Sequence, residues 1–377
     1  MSEDTTTEIA GFDETDPGKL QGKPWEPVSD RIIRVGIAGH GFCQFGAHFG
    51  FQDHPNSEVV AVTDLEPDRR KRMAEVTGCE TTYSSIEEMV QDDQIEAVFL
   101  ATDAPSHARQ AILALEHGKH VGCCVPAVWG SLEDAQDLYD AVKTSGRKYM
   151  MFETSAYHAE LYLMRETYRA GLLGRLIYSE GQYYHYFPEP IGSYKNWRAG
   201  CPPMWYPTHA TAYYIAVTGG SYTDVSCLGF RGNIPHLQPD ANVFGNPFDS
   251  ETALFKTNEG GSSRINLCWG TPGVGGEYGE VHGELGSVIG TEFNPKDKLG
   301  DPSRFAKPQL PPGMDPGGHG GSHGYLTNEF LTAILEDRDP LINIAWSLNM
   351  TLPGIIAHES ALKDGEWMKV PQYDWPT

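Results

Sequence analysis

Positive charge is scarce in this chain. Lys and Arg total 28 against 51 Asp and Glu, a formal net charge of -23. A surface that acidic repels phosphate backbones and anionic lipid, which sets nucleic acid and membrane surfaces aside as partners. Long hydrophobic runs are missing too. Stretches such as Val98–Ala101 fall far short of a membrane span. The opening residues, MSEDTTTEIAGFDETD, are acidic and show no charged-then-apolar leader. The seven cysteines contain no CxxC pair and no metal-ligand spacing. That excludes a disulfide scaffold and suits reduced thiols, so a cytoplasmic protein without a metal is expected. What is present is 40% apolar residues over 377 positions, enough for one large or two medium cores. The 42 Gly and 26 Pro predict many loops.

Residues 1–30 hold eight acids and two lysines and read as an acidic tail or a strap packed on the surface. From Arg31 short β-branched runs alternate with helical patterns. Strands are expected at Ile32–Ala38, Glu58–Thr63, Glu96–Ala101, His120–Cys124 and Lys148–Phe152. Helices are expected at Pro67–Thr77, Ser85–Gln91, His107–His117 and Leu132–Thr144, with Ser84/Glu87 and Ser131/Asp134 at capping-box spacing. Buried strands joined by helices imply a parallel sheet with right-handed crossovers, so residues 31–152 read as a doubly wound Rossmann domain. Beyond Glu153 the texture changes. A helix near His158–Ala170 precedes strand-like stretches at Leu176–Tyr186, Tyr222–Phe230, Thr252–Thr257, Ser263–Trp269 and Gly279–Gly290. Their Gly, Asn and Pro turns suggest an open, mostly antiparallel sheet in a second domain, residues 153–377, with late helices near Tyr325–Glu336 and Ile344–Asp364.

The first strand runs into Gly39-His40-Gly41, with Phe42 onward expected to start a helix. Gly39 permits the tight turn, and Gly41 lets backbone approach a pyrophosphate at the helix N-terminus. The third fingerprint position holds Gln44, and Gly46 lies two residues on. Asp64 closes the second strand, where an acid takes the adenosine ribose hydroxyls and repels a 2′-phosphate. NAD is therefore expected over NADP, with Arg69 and Arg70 able to soften the preference. Thr102, Pro105, Ser106 and His107 follow the third long strand, on the carboxyl edge where ligands lie.

This set, together with Gly118-Lys119-His120-Val121 and Pro126, resembles the glucose-fructose oxidoreductase/inositol dehydrogenase family. The resemblance covers roughly residues 31–365. It implies NAD(P), sugar-like substrates and oligomers, dimers or tetramers, joined through the second sheet. Two departures matter. Typical members have Glu-Lys-Pro where this chain reads Cys124-Val125-Pro126, so the lysine that aids proton transfer is missing. The usual Asp-x-x-x-His-x-x-Asp is here Trp205-Tyr206-Pro207-Thr208-His209-Ala210-Thr211-Ala212, which keeps the histidine alone. Tyr-Pro-Thr-His is similar to the branch of NAD-dependent glycosidases and glycoside 3-dehydrogenases. That likeness implies substrate-acting roles for Glu153, Tyr183 with Tyr184 as the alternative, Tyr206 and His209, with Pro126 beside the cofactor.

Oxidising a secondary alcohol requires a base for the hydroxyl proton. His209 is the first choice, since imidazole titrates near ~6.5. Tyr206 would share its face if Trp205–Tyr213 is helical, with Pro207 in the first turn. Glu153 is the natural second acid/base group at the site-facing edge. Strand alternation puts Tyr183 and His185 on one face and Tyr184 and Tyr186 on the other. His319 and His323, in a glycine-rich loop, are candidates to bond sugar hydroxyls. Trp197 is placed to stack on a sugar, and Lys195 to replace the lost cation. The reading that results is an NAD-dependent oxidoreductase of a sugar or glycoside acting at the 3-hydroxyl. The alternatives are a glycosidase that oxidises that carbon transiently and a non-catalytic NAD- or sugar-binding regulator.

Overall fold

A computed structural model of the chain describes residues 22–40, 44–273 and 275–376. Gly41 and Phe42, expected at the cofactor, lie outside the described residues, as does most of the acidic tail. The first sheet has six parallel strands in the order β3-β2-β1-β4-β5-β6. They are β1 (Ile33–Ala38), β2 (Ser57–Thr63), β3 (Thr82–Tyr83), β4 (Ala97–Leu100), β5 (His120–Cys124) and β6 (Tyr149–Phe152). The order reverses between β1 and β4, which opens a crevice at their carboxyl ends. The helices are α1 (Phe45–His48), α2 (Pro67–Thr77), α3 (Ile86–Met89), α4 (His107–Glu116) and α5 (Leu132–Ser145). Ser131 caps α5 by accepting the Asp134 N–H at 3.0 Å. The cap of α3 is Ser85, which accepts the Glu88 N–H at 3.2 Å, one residue later than the Ser84 register expected.

Helix α6 (Ala159–Arg169) and β7 (Leu176–Tyr184) lead into the second sheet, of order β13-β12-β11-β7-β10-β9-β8-β14. Its other strands are β8 (Tyr222–Phe230), β9 (Ser250–Thr257), β10 (Ser262–Cys268), β11 (Gly276–Gly283), β12 (Ser287–Ile289), β13 (Glu292–Asn294) and β14 (Met368–Lys369). The sheet is mixed, because β7 and β10 run parallel while the remaining pairs are antiparallel. The single strand expected at Gly279–Gly290 is in fact β11 plus β12, divided by a Gly283-Glu-Leu-Gly286 turn. This moves the start of β11 three residues earlier and brings Glu277 into the sheet.

Helix α7 (Thr208–Thr218) is buried from Thr208 to Val217 and lies on the inner face of this sheet. It approaches β7 closely because Gly181 has no side chain: a Cβ there would sit on the Ala210 carbonyl oxygen. A single turn α8 (Gly318–Gly321), α9 (His323–Leu335) and α10 (Ile344–Leu362) precede β14. The described end of the N-terminal segment packs as a strap, with the Gly22 N–H bonded to the Lys307 carbonyl at 3.0 Å. Among the described residues no helix is long and apolar enough to cross a membrane.

Candidate active site

Between the carboxyl edge of the first sheet and the inner face of the second lies a cleft of about 730 Å³, counting the solvent at its mouth. Thr102, Ala104, His107, Cys124 and Val125 line it from the first sheet. Tyr183, His185, Trp197, Arg198, Tyr206, His209 and His319 line it from the second half.

The cofactor wall is built mainly from backbone. Gly39 takes φ 91°, and its N–H bonds the Thr63 carbonyl at 2.8 Å. The third fingerprint glycine proves dispensable because Gly46 does its work: a Cβ at Gly46 would meet the Gly39 carbonyl oxygen at 2.4 Å. Gln44 instead turns the chain, at φ 56°. Asp64 places one carboxylate oxygen 2.8 Å from the His40 N–H and the other 2.8 Å from the Glu66 N–H. That fixes an acid beside the glycine turn, as ribose recognition requires. Arg70 is tied to the Asp64 carbonyl at 2.9 Å. Both ring nitrogens of buried His40 find no hydrogen-bond partner among the described residues. These features fit a dinucleotide in the crevice. Pro105 sits in the turn that opens α4, while His107 braces the edge, with Nδ1 2.9 Å from the Pro126 carbonyl and Nε2 3.3 Å from that of Thr102.

The opposite wall is built from side chains. His209 starts α7, and its Nδ1 lies 2.8 Å from Glu153 Oε1 and 3.5 Å from Glu277 Oε1. With Nδ1 turned to these carboxylates, Nε2 is the nitrogen left for the cleft. Burial opposes a charge on His209, but Glu153 and Glu277 outweigh it and raise its pKa to about 9. Burial acts alike on Glu153, and the His209 charge overcomes it, so the Glu153 carboxyl sits below its ordinary range. The other cleft histidines go the opposite way. Burial, reinforced by the Arg198 charge, holds His185 well below 6.5, and burial with neighbouring His323 does the same to His319. His209 is thus the cleft imidazole poised to carry a proton, and the others stay neutral.

The sequence candidates do not all reach the cleft. Tyr183 and Tyr206 flank His209, with ring centroids at 4.8 and 5.5 Å. Tyr206 precedes α7 rather than sharing its face, because Pro207 is the N-cap and the backbone at Tyr206 is not helical. Burial pushes both phenols upward, so they remain hydrogen-bond donors at neutral pH. Tyr183 is also 3.0 Å from His185 Nδ1, on the face that alternation assigned to both. Glu153 is fully buried behind His209 and does not line the cleft. His319 lines it, and His323 stands behind, its Nε2 2.9 Å from His319 Nδ1. Lys195 is the correction. It is exposed over the Tyr194 ring, because left-handed turns at Lys195 and Asn196 swing the following residues inward instead. The cation that reaches the cleft is Arg198, its guanidinium 4.2 Å from the Trp197 ring and 5.6 Å from Tyr206.

Glu277 and His158 were not among the candidates. The signal for Glu277 was faint, a lone acid after the run Gly273-Val274-Gly275-Gly276. Glu153, His209 and Glu277 bring three donor atoms within 4.8 Å of one another. The 2.8 Å contact is that of a charge-assisted hydrogen bond, and His209 supplies the neutralising charge, so we assign no metal here.

Residues 33–153 match the model of an oxidoreductase family with an NAD-binding Rossmann fold. The chain is 30% identical over 177 residues to a glycosyl hydrolase family 109 protein of Porphyromonas gingivalis, covering 44% of this chain and 37% of that relative. It thus matches under two-fifths of that curated relative's length. A glycosyl hydrolase family 109 protein of Akkermansia muciniphila is 25% identical over 343 residues, covering 82% of this chain and 67% of the relative. The fold is shared with levoglucosan dehydrogenase solved with NADH and levoglucosan, at TM-score 0.74 and 22% identity over 91% of this chain and 100% of that one.

Proposed function

We propose that this chain, whose residues 33–153 form the NAD-binding Rossmann unit of that oxidoreductase family, is an NAD-dependent oxidoreductase of a sugar or glycoside. The observation that carries the reading is His209, anchored by Glu153 at 2.8 Å and facing the cleft beside two tyrosines. NAD, when bound, supplies the hydride acceptor. Asp64 holds the ribose end, and the turn at Gly39 admits the pyrophosphate. His209 Nε2 removes the hydroxyl proton, while Tyr183 and Tyr206 donate hydrogen bonds to the same oxygen. Arg198 stands where developing negative charge needs a cation, the task of the missing lysine. Trp197, His185 and His319, backed by His323, hold the sugar, and the 3-hydroxyl is the one we place at His209.

The similarity to glycosyl hydrolase family 109 proteins favours one second reading. There the 3-ketone acidifies the neighbouring C–H, elimination expels the aglycone, water adds, and the hydride returns. A purified sample incubated with p-nitrophenyl and methyl glycosides, with and without added NAD, separates the two. Stoichiometric NADH supports oxidation, and aglycone release without net NADH supports hydrolysis. If neither appears while NAD remains bound, both enzymatic readings fall and a binding role remains.

We also propose that copies associate through the outer face of the second sheet. Leu228, Thr252, Asn266, Gln182 and Tyr278 stand in one row across five strands, with Leu228 63% and Tyr278 47% exposed. The described cysteines that are assigned, Cys79, Cys123, Cys124, Cys201, Cys227 and Cys268, are free thiols, in keeping with a cytoplasmic setting.

A further inference from the structure

Oxidising an alcohol yields a proton along with the hydride, and here the proton arrives in a closed place. His209 is 2% exposed. Glu153, its nearest partner, is a dead end: it is 0% exposed, its Oε1 also accepts the Ser155 N–H at 2.9 Å, and its Oε2 meets no hydrogen-bond partner among the described residues. Glu277 leads elsewhere. Its Oε1 is 3.5 Å from His209 Nδ1, and its Oε2 is 3.5 Å from His158 Nε2. His158 Nδ1 is in turn 3.7 Å from Glu160 Oε1. Side-chain exposure climbs along this series, from 3% at His209 through 4% at Glu277 and 10% at His158 to 23% at Glu160.

We infer that Glu277, His158 and Glu160 form a proton relay that carries the hydroxyl proton from His209 to the surface. The inference rests on the reading of His209 as the base. Each gap exceeds hydrogen-bond length by less than about 1 Å, which small side-chain rotations close. Three different elements hold the members: β11 carries Glu277, α7 carries His209, and His158 and Glu160 stand at the start of α6. The Ser155 hydroxyl bonds the Glu277 carboxylate, and the Tyr213 hydroxyl donates to Glu160 at 3.0 Å. The charged and titratable groups facing His158 are Glu160 from its own helix, Glu277 from β11, His209 from α7, and His319 and His323 from the α8–α9 segment. Burial works against a charge on His158, yet Glu277 and Glu160 overcome it and raise its pKa. His158 can therefore hold a proton in transit.

The steps balance. NAD, when bound, would take the C–H electron pair as hydride, which leaves the O–H proton to His209 Nε2. His209 releases its Nδ1 proton to Glu277 Oε1. The Glu277 carboxyl turns about χ3 and protonates His158 Nε2, and His158 gives its Nδ1 proton to Glu160. Water takes it from there, so one proton enters and one leaves, and rotation of the two imidazoles and of the Glu277 carboxyl returns the relay to its starting tautomers before the next turnover.

The test uses the full chain with His158→Gln, Glu277→Gln and Glu160→Gln, and follows NADH formation from a methyl glycoside between pH 6 and 10. The relay predicts that His158→Gln lowers kcat about tenfold or more in weak buffer, that millimolar imidazole restores it, and that KM and NADH affinity do not move. Glu160→Gln should lose less, because water reaches His158 more directly. A defect that imidazole does not rescue, a change in KM instead of kcat, or unchanged kcat in all three variants overturns the relay. So does loss of wild-type activity on chelation that divalent cation restores, which would make the carboxylates metal ligands. A second readout needs no turnover. Histidine NMR should show the His209 titration shifting in His158→Gln and Glu277→Gln. An unshifted His209 overturns the relay even if no glycoside is oxidised, whereas absent wild-type NADH with a shifted His209 refutes only the proposed substrate.

Discussion

The two walls of the cleft are made by different means. On the Rossmann side the ligand surface is mostly main chain: a left-handed glycine, a helix brought close by Gly46, and one carboxylate held by two backbone N–H groups. On the facing side it is almost all side chain, with aromatic rings, imidazoles and one guanidinium. The first wall is set by backbone geometry, in a chain whose net charge is -23. The second wall tunes protons. Its histidines share one residue type and one degree of burial, yet His209 is pushed up and His185 and His319 are pushed down. Two carboxylates behind a ring make that difference, and cleft position alone does not.

The sharpest way to break this comparison is His209→Ala. We expect turnover to fall by about 10³-fold or more, the scale of a lost general base, with NADH affinity unchanged by titration. A variant that still turns over would move the chemistry off this wall. The wild-type pH profile tests the same point. Oxidation needs neutral His209, so kcat/KM should climb as pH rises and level off near pH 9, where that imidazole titrates. A plateau already reached at pH 7 would deny the raised pKa.

A smaller effect, on the other wall, is expected from Asp64→Ala. Losing a charge-assisted bond to the ribose should weaken NAD binding about tenfold and narrow the preference over NADP, while kcat at saturating NAD stays put. Calorimetric affinity equal to wild type would remove Asp64 from the cofactor. His209→Ala and Asp64→Ala should therefore fail in opposite columns, one in kcat and one in cofactor affinity.

The same division explains what could be read from sequence. The main-chain wall was legible because strand and helix periodicity dictate it. Strand β5 and helix α2 lie where residue patterns put them, and Asp64 follows from ending β2. The side-chain wall was legible only near its motif. Tyr206 and His209 stand together in sequence and in space. Glu277 comes from a strand whose start is hidden in a glycine run, and His158 from a turn just before a helix, so neither carries a periodic signal. The contacts of Glu277 with His209 and His158 arise from packing between residues distant in sequence. Parity along β7 did place Tyr183 and His185 correctly, since a two-residue period survives any tertiary context.

The smallest expected effect separates Lys195 from Arg198, three residues apart in one loop. Sequence alone cannot tell which of two cations turns inward, because the answer depends on backbone at φ 50° and 57° in Lys195 and Asn196. Those two left-handed residues reverse the chain, leave Lys195 in water, and lay Arg198 across Trp197. Arg198→Gln removes a charge that presses on Tyr206 and His209, and should cost about 10² in kcat/KM, as loss of one oxyanion-stabilising group does. Lys195→Ala removes an exposed charge that lies over the Tyr194 ring, and should stay within about twofold of wild type. Steady-state rates with one methyl glycoside decide the pair. Equal losses would mean that the loop rearranges on binding and that Lys195 swings in; a loss confined to Lys195→Ala would exchange their roles. A loss confined to Arg198→Gln fixes the working cation on the side-chain wall, held there by an aromatic ring.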